Sequence, residues 1–153
     1  MTYINITTGA YPLSADTIRS AHPNTSWPSD AAGFEACLAD FGYAIVAATD
    51  RPTVDHTQNV TEGQPAETAN GYEQTWLVTE ATESEIAERT TAQAANVRSD
   101  RNQALATCDW TQLPDAPVDA AAWAAYRQQL RDVTNQAKFP WDVTWPSVPS
   151  TPA

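Results

Sequence analysis

The sequence predicts an α+β fold in which a small N-terminal helix and an antiparallel three-stranded unit are followed by a long antiparallel helical hairpin and an extended, aromatic and proline-rich C-terminal tail. Three observations predict it. Short β-branched and aromatic runs between polar turns fill residues 43–78. No residue from Thr82 to Thr107 breaks a helix, and prolines interrupt the aromatic residues near the C-terminus. We expect three segments, 1–79, 80–136 and 137–153.

Composition limits the protein to one small domain or a small domain with an appendage, because the chain has 153 residues and a mass of 16.6 kDa. Leu, Ile, Val and Phe number only 23, whereas 27 residues are Ala. Six Trp and five Tyr supply large rings that partly offset this thin apolar content. We therefore expect a marginal core that gains stability from a partner. The net charge of −11 argues against nucleic acid as that partner, because phosphate binding needs a basic face.

Two short helices are predicted in the N-terminal part. The Ser14 hydroxyl can cap a helix over residues 15–21, and the Pro-containing segment 22–28 ends it. A second helix starts at Ser29 or Asp30. Its apolar side chains recur at helical spacing on one face: Phe34, Leu38 and Phe41.

Three strands are predicted next, at residues 43–47, 54–61 and 72–78. The connections 50–52 and 62–71 contain the Pro, Gly and polar residues that favour turns. Side chains in the middle strand alternate as in a half-exposed strand. We expect an antiparallel meander with the helices packed on one face.

A helical hairpin is predicted after residue 80. Thr82 and Glu85 have the spacing of a capping box, and the helix that they begin extends to Thr107. Its apolar side chains are too sparse to support a long helix alone, so a second helix must pack on it. Asp119 can cap that second helix, whose apolar face consists of Trp123, Tyr126 and Leu130.

Aromatic residues are concentrated near the C-terminus, and they are the candidate partner-binding residues: Trp110, Trp123, Tyr126, Phe139, Trp141 and Trp145. Trp123 and Tyr126 can equally form the core of the hairpin, and we expect Trp110 and Trp123 to serve mainly in packing. Because Pro140 and Pro146 prevent a helix, the tail that carries the last three rings either folds back on the hairpin or docks on another chain. We expect Trp141 and Trp145 to combine packing with partner contact.

Catalytic, cofactor-binding and metal sites are not expected. The two histidines, His22 and His56, lie outside any nucleophile signature, and with Cys37 and Cys108 they fit no zinc spacing. We expect free thiols, with a disulfide as the less favoured alternative. The sequence has no run of about 20 apolar residues and no signal-peptide pattern at its start, so we expect no membrane partner and a cytoplasmic location.

Five stretches of the C-terminal part carry a family resemblance: RNQAL at 101–105, CDWTQLPD at 108–115, WAAYRQQLRD at 123–132, FPW at 139–141 and WP at 145–146. Together they resemble the C-terminal domain of phage tail (fibre) assembly chaperone proteins, over about residues 80–146. Residues 132–136 depart from the family pattern, because family members often carry a proline after the second helix. Three shorter stretches are similar to the variable front ends of such proteins: YPLS at 11–14, PNTSWP at 23–28 and DFGY at 40–43.

The resemblance implies a phage tail fibre assembly chaperone that binds the fibre polypeptide and assists its folding, trimerisation or attachment, without catalysis or a cofactor. The tail fibre protein is the expected partner, with baseplate protein and self-association as further candidates, and host cytoplasm is the expected location during assembly. The alternative function is a structural subunit retained in the virion as part of the tail fibre or baseplate complex. A third class, an enzyme acting on host-surface sugar, would need a carboxylate pair in a cleft. We expect Phe139, Trp141 and Trp145 to anchor the fibre, while the face around Trp110 and Trp123 supports the tail.

Overall fold

The structure, a computed structural model, describes residues 1–150 and divides after Glu80 into two compact units. Helices and mixed sheets make the fold class α+β, as predicted. Residues 151–153, the end of the predicted tail, lie outside the described residues. Within the described part of the chain, no helix is both long enough and apolar enough to cross a membrane.

The first unit contains two short helices, α1 at Ala15–Ala21 and α2 at Ala31–Cys37, and both have side-chain caps. The Ser14 hydroxyl accepts from the Thr17 amide, as predicted, and the Asp30 carboxylate accepts from the Gly33 amide. A 3₁₀ turn at Leu38–Phe41 continues α2. Gly42 ends this turn with φ of 74°, a left-handed conformation that favours glycine.

Six strands form two sheets in this unit: β1 at Thr2–Asn5, β2 at Tyr43–Ala47, β3 at Gln58–Glu62, β4 at Ala66–Thr68, β5 at Gly71–Glu73 and β6 at Trp76–Glu80. A four-stranded sheet has the order β1-β2-β5-β4, in which β2 and β5 are parallel. A separate antiparallel ribbon consists of β3 and β6.

The prediction of a three-stranded antiparallel unit is wrong, because the strands form a four-stranded sheet and a two-stranded ribbon. The expected third strand, 72–78, is interrupted at Gln74, whose amide donates to Ala47 O at 2.8 Å and whose carbonyl accepts from the Thr49 hydroxyl at 2.9 Å. These bonds direct β5 to β2, and the chain after them pairs with β3 instead. Strand β1 is missing from the prediction because four residues are too short to establish an alternating pattern.

The core of the first unit lies between α1, α2 and the four-stranded sheet, and its buried members are Tyr3, Ile18, Phe34, Leu38 and Tyr43. The rings of Tyr3 and Phe34 meet edge to face, with their centroids 5.8 Å apart. The predicted apolar face of the second helix is confirmed, because Phe34 and Leu38 are buried and Phe41 packs against them.

The second unit is built on two helices that pack on each other, α3 at Glu83–Thr107 and α4 at Ala120–Asp132. The predicted capping box of Thr82 and Glu85 is present, and Asp119 caps α4 as predicted. Short 3₁₀ turns follow the helices, at Asp109–Gln112 and Val133–Asn135. At 1.5 Å per residue, α3 is roughly 37 Å long and α4 roughly 20 Å, so α4 can cover only about half of α3.

The tail begins with turns rather than an extended chain, which corrects the prediction for residues 137–142. The Phe139 amide donates to Gln136 O and the Trp141 amide to Lys138 O, both at 3.0 Å. These bonds close tight turns around Pro140, which is buried. From residue 143 to residue 150 the chain contains neither helix nor strand.

Candidate functional site

Large apolar side chains are exposed on the second unit. Trp110 is 45% exposed, Trp141 39% and Trp145 41%, and Leu113 and Val148 are more exposed still. Scattered exposed apolar residues are ordinary in proteins, but three half-exposed Trp within 36 residues are not. Trp residues at a surface are typical of contacts with another protein.

A groove of about 460 Å³ lies beside Trp110. Its walls come from the C-terminal part of α3, the 3₁₀ turn after it, α4 and the tail: Asp100, Gln103, Ala104, Thr107, Cys108, Trp110, Trp123, Tyr126 and Val148. Three of the six predicted partner-binding residues, Trp110, Trp123 and Tyr126, are therefore brought together here. Their rings are in contact, with centroids 6.2 Å apart for the two Trp and 5.7 Å for Trp123 and Tyr126.

Trp123 and Tyr126 belong mainly to the core. They are only 5% and 8% exposed, and they pack with Leu130 of α4 and with Cys108 at the end of α3. The Trp123 Nε1 atom is buried and has no hydrogen-bond partner among residues 1–150. Burial raises the pKa of the Tyr126 hydroxyl. A partner can reach these two rings only where they line the groove, whereas Trp110 presents much of its surface directly.

Arg127 fixes the wall of the groove, and sequence reasoning did not identify it as a site residue. Its guanidinium donates to Leu105 O at 2.8 Å, to Cys108 Sγ at 3.0 Å and to Asp109 Oδ1 at 2.7 Å. Burial lowers the pKa of Arg127, but the hydrogen bonds to Asp109 and Cys108 outweigh burial and raise it overall. These contacts tie α4 to the end of α3, just where Trp110 follows.

Contacts of Phe139 and Thr144 join the tail to the rest of the second unit. The guanidinium of Arg98 lies over the Phe139 ring, 5.3 Å from its centroid. The Gln136 side chain donates to Thr144 O and accepts from the Thr144 amide, both at 2.8 Å. The Phe139 ring therefore makes a contact within the chain itself.

A second cleft, of about 300 Å³, lies where the tail returns to α4. It is lined by Gln129, Asp132, Gln136, Thr144, Trp145 and Pro146. Of the three predicted anchors on the tail, Trp141 and Trp145 therefore keep a large exposed area, and Trp145 also borders this cleft.

Of the residues considered for chemistry, His22 belongs to the first unit, whereas Cys108 lines the groove. His22 donates to or accepts from the Tyr43 hydroxyl at 3.1 Å, within an aromatic cluster of the first unit. Cys37 and Cys108 are free thiols, and Cys108 is buried. Among residues 1–150, no group of three or more His, Cys, Asp or Glu side chains could hold a metal ion.

The second unit thus combines a ring-lined groove with exposed Trp residues. Residues 94–150 match the family model described as Phage tail assembly chaperone protein. This match confirms the family resemblance over residues 94–150, the segment that contains all six predicted partner-binding residues. No curated protein and no solved structure gives a significant match to the chain.

Proposed function

We propose that the chain is a chaperone for a phage tail fibre polypeptide, which it binds and whose folding, trimerisation or attachment it assists without catalysis. The observation that carries this proposal is the groove beside Trp110, together with the exposed Trp141 and Trp145 of the same unit, all within the segment matched by the tail assembly chaperone family. We place the activity in the host cytoplasm during assembly.

The groove suits one or a few apolar side chains of an unfinished polypeptide. Its volume of about 460 Å³ falls within the roughly 300–1000 Å³ typical of binding pockets. Its floor is aromatic, and Asp100 is the charged residue in its lining. Trp110 carries the apolar lining to the surface, and Trp141 and Trp145 are exposed elsewhere on the same unit. Aromatic residues of this kind supply most of the binding energy in many interfaces.

A fibre polypeptide needs such protection. Fibre chains are rich in β-structure and pair over long sequence distances, so they expose apolar surface and strand edges before they trimerise. A partner with a net charge of −11 keeps such a complex soluble, because like charges oppose association between complexes.

Co-expression with the tail fibre polypeptide of the same phage tests the proposal. We expect one stoichiometric complex by size-exclusion chromatography with mass measurement, and insoluble fibre in the absence of the chain. Trp110→Ala and Trp141→Ala should each weaken the complex at least about tenfold, as for interface residues that contribute more than 1.4 kcal/mol. Ile6→Ala, which removes an exposed apolar side chain of the first unit, serves as the matched control.

Two results would contradict the proposal. Fibre that stays equally soluble without the chain, and forms no complex with it, excludes the chaperone role for that fibre. Detection of the chain in purified particles at a fixed ratio to fibre supports the alternative, a structural subunit of the virion.

A further inference from the structure

The ribbon of β3 and β6 in the first unit has two edges with different properties. The Gly63 amide donates to Thr75 O at 2.9 Å, which identifies Gly63 and Thr75 as a hydrogen-bonded pair. Since such pairs alternate along an antiparallel ladder, Leu77 and Thr79 direct their amides and carbonyls to β3. Val78 and Glu80 therefore direct theirs away from β3, to the outer edge of β6.

The outer edge of β3 is occupied by the chain itself. Gln58 donates its outward amide to Asp55 O at 3.3 Å. The Arg51 guanidinium donates to the outward carbonyl of Val60 at 3.2 Å. A charged side chain and a local turn thus block this edge, as is common for strand edges that must not pair with other chains.

The outer edge of β6 is open beyond its first residue. The Trp76 indole donates to the Thr49 hydroxyl at 3.1 Å, so the beginning of the strand is covered. Farther along, Leu77 is 56% exposed and Val78 41%, and Thr79 and Glu80 are exposed as well. Within residues 1–150, β3 is the sole strand that pairs with β6. An exposed edge with apolar side chains and unpaired main-chain groups is a template for an added strand.

The charge of the first unit decides between the possible occupants. Residues 1–80 contain ten Asp and Glu but only two Arg, a net charge of −8. A second copy of this unit would bring the same charge to the edge and would be repelled. A strand with Lys or Arg at its ends would be attracted, with Glu80 beside the pairing groups.

We infer that the outer edge of β6 binds an extended polypeptide strand with apolar side chains and basic ends, by adding it to the β3–β6 ribbon. The strand contributes main-chain hydrogen bonds to Val78 and Glu80 and packs apolar side chains beside Leu77 and Val78. An unassembled segment of the tail polypeptide is the source of this strand, and that assignment rests on the proposed function. This contact is separate from the groove, since it lies in the first unit.

Amide hydrogen exchange of the full chain, measured by NMR, tests the inference. The probe is a synthetic peptide of alternating Val and Thr with Lys at both ends, and the matched control has Glu at both ends. In the free chain we expect fast exchange at Val78 and slow exchange at Leu77 and Thr79. The Lys-ended probe should slow exchange at Val78 and Glu80 by at least about tenfold, and the Glu-ended probe should bind at least roughly threefold more weakly at low salt.

Val78→Pro is the specific variant. It removes the outward N–H of residue 78 but leaves the amides of Leu77 and Thr79, which carry the ladder to β3, in place. We expect it to abolish probe binding while Leu77 and Thr79 stay protected. If the Pro variant does not keep that protection, Val78→Lys provides the second test, because it retains the N–H and blocks the edge with a hydrated charge.

Three outcomes would overturn the inference. The first is no protection at Val78 and Glu80, the second is undiminished binding of the Lys-ended peptide by the Val78 variants, and the third is a doubled mass of the free chain that Val78→Pro restores to the monomer. The last outcome would assign the edge to a second copy. Co-expression with fibre separates the two proposals. If Trp141→Ala abolishes fibre capture and Val78→Pro leaves it unchanged, the result supports the proposed function alone. If the chain binds the peptide but captures no fibre, the result supports strand binding at the β6 edge alone.

Discussion

Arg127 joins α4 to the end of α3, and Arg127→Met tests how much this contact stabilises the second unit. The guanidinium donates to Leu105 O, Cys108 Sγ and Asp109 Oδ1 at 2.7–3.0 Å. Methionine can fill much of the space of the aliphatic stem but has no hydrogen-bond donor. The substitution therefore removes one donor from the Leu105 carbonyl, which still accepts from the Cys108 amide at 3.2 Å, and it leaves Asp109 without its ion pair.

The loss in the free energy of unfolding depends on which partner of the Arg127–Asp109 pair is buried. Hydrogen bonds to charged groups contribute roughly 1.5–3 kcal/mol, and breaking a fully buried pair costs about 3–5 kcal/mol. The Arg127 side chain is 10% exposed but that of Asp109 is 67% exposed, so water can rehydrate the carboxylate once the guanidinium is removed. We therefore expect Arg127→Met to lower the free energy of unfolding by about 2–3 kcal/mol, below the cost for a fully buried pair.

Hydrogen exchange of the α4 amides measures this free energy within the second unit of the full chain. A loss of about 2–3 kcal/mol corresponds to roughly 30- to 150-fold faster exchange at buried positions such as Leu130. The matched control is Arg131→Met, one helical turn further along on the exposed face, which should cost less than about 0.5 kcal/mol. Similar exchange rates in the two variants would refute the assigned role of Arg127.

Three further predictions concern single contacts. Trp123→Ala should destabilise the second unit by about 3–5 kcal/mol through the cavity it leaves, seen as faster amide exchange at Leu130; unchanged exchange would contradict its core position. Gln136→Ala should release the tail and speed amide exchange at Thr144, and unchanged exchange would show that other contacts hold it. Hydrogen bonds from Tyr11 and Gln74 lower the pKa of Glu62, so its contribution to stability is present above the unfolded pKa and is lost as pH falls through the folded one. In urea titrations at several pH values, Glu62→Gln should remove this fall in the free energy of unfolding at low pH. A variant whose stability depends on pH as the original chain's does would contradict the prediction.

Helices in this chain could be predicted because their signals are local. Ser14, Thr82 and Asp119 cap helices where the sequence places them, and the apolar spacing of α4 identifies its buried face. Strand pairing depends instead on contacts between distant residues. The bonds from Gln74 to Ala47 and Thr49 redirect the chain between two sheets, and no short pattern around residue 74 signals them.

The candidate site could be predicted by residue type but not by exposure. Trp123 and Trp141 are the same residue, yet the first is buried on a helix face and the second remains 39% exposed in a turn. Helical spacing favours burial for Trp123, whereas the proline-flanked tail has no periodicity from which burial follows. Arg127 was missed for a related reason, because its partners at Leu105, Cys108 and Asp109 come together only when α4 packs on α3.

Charge is distributed unequally between the two units, and under the proposed function this divides two tasks between them. The first unit has a net charge of −8, whereas residues 81–150 contain nine Asp and Glu against six Lys and Arg, a net charge of −3. The groove and the exposed Trp residues thus lie on the less charged unit, where desolvating the surface on binding costs less. The first unit supplies most of the charge that keeps a complex soluble. Removing acidic residues from the first unit should therefore lower the solubility of a fibre complex more than its affinity, and Trp substitutions in the second unit should do the reverse.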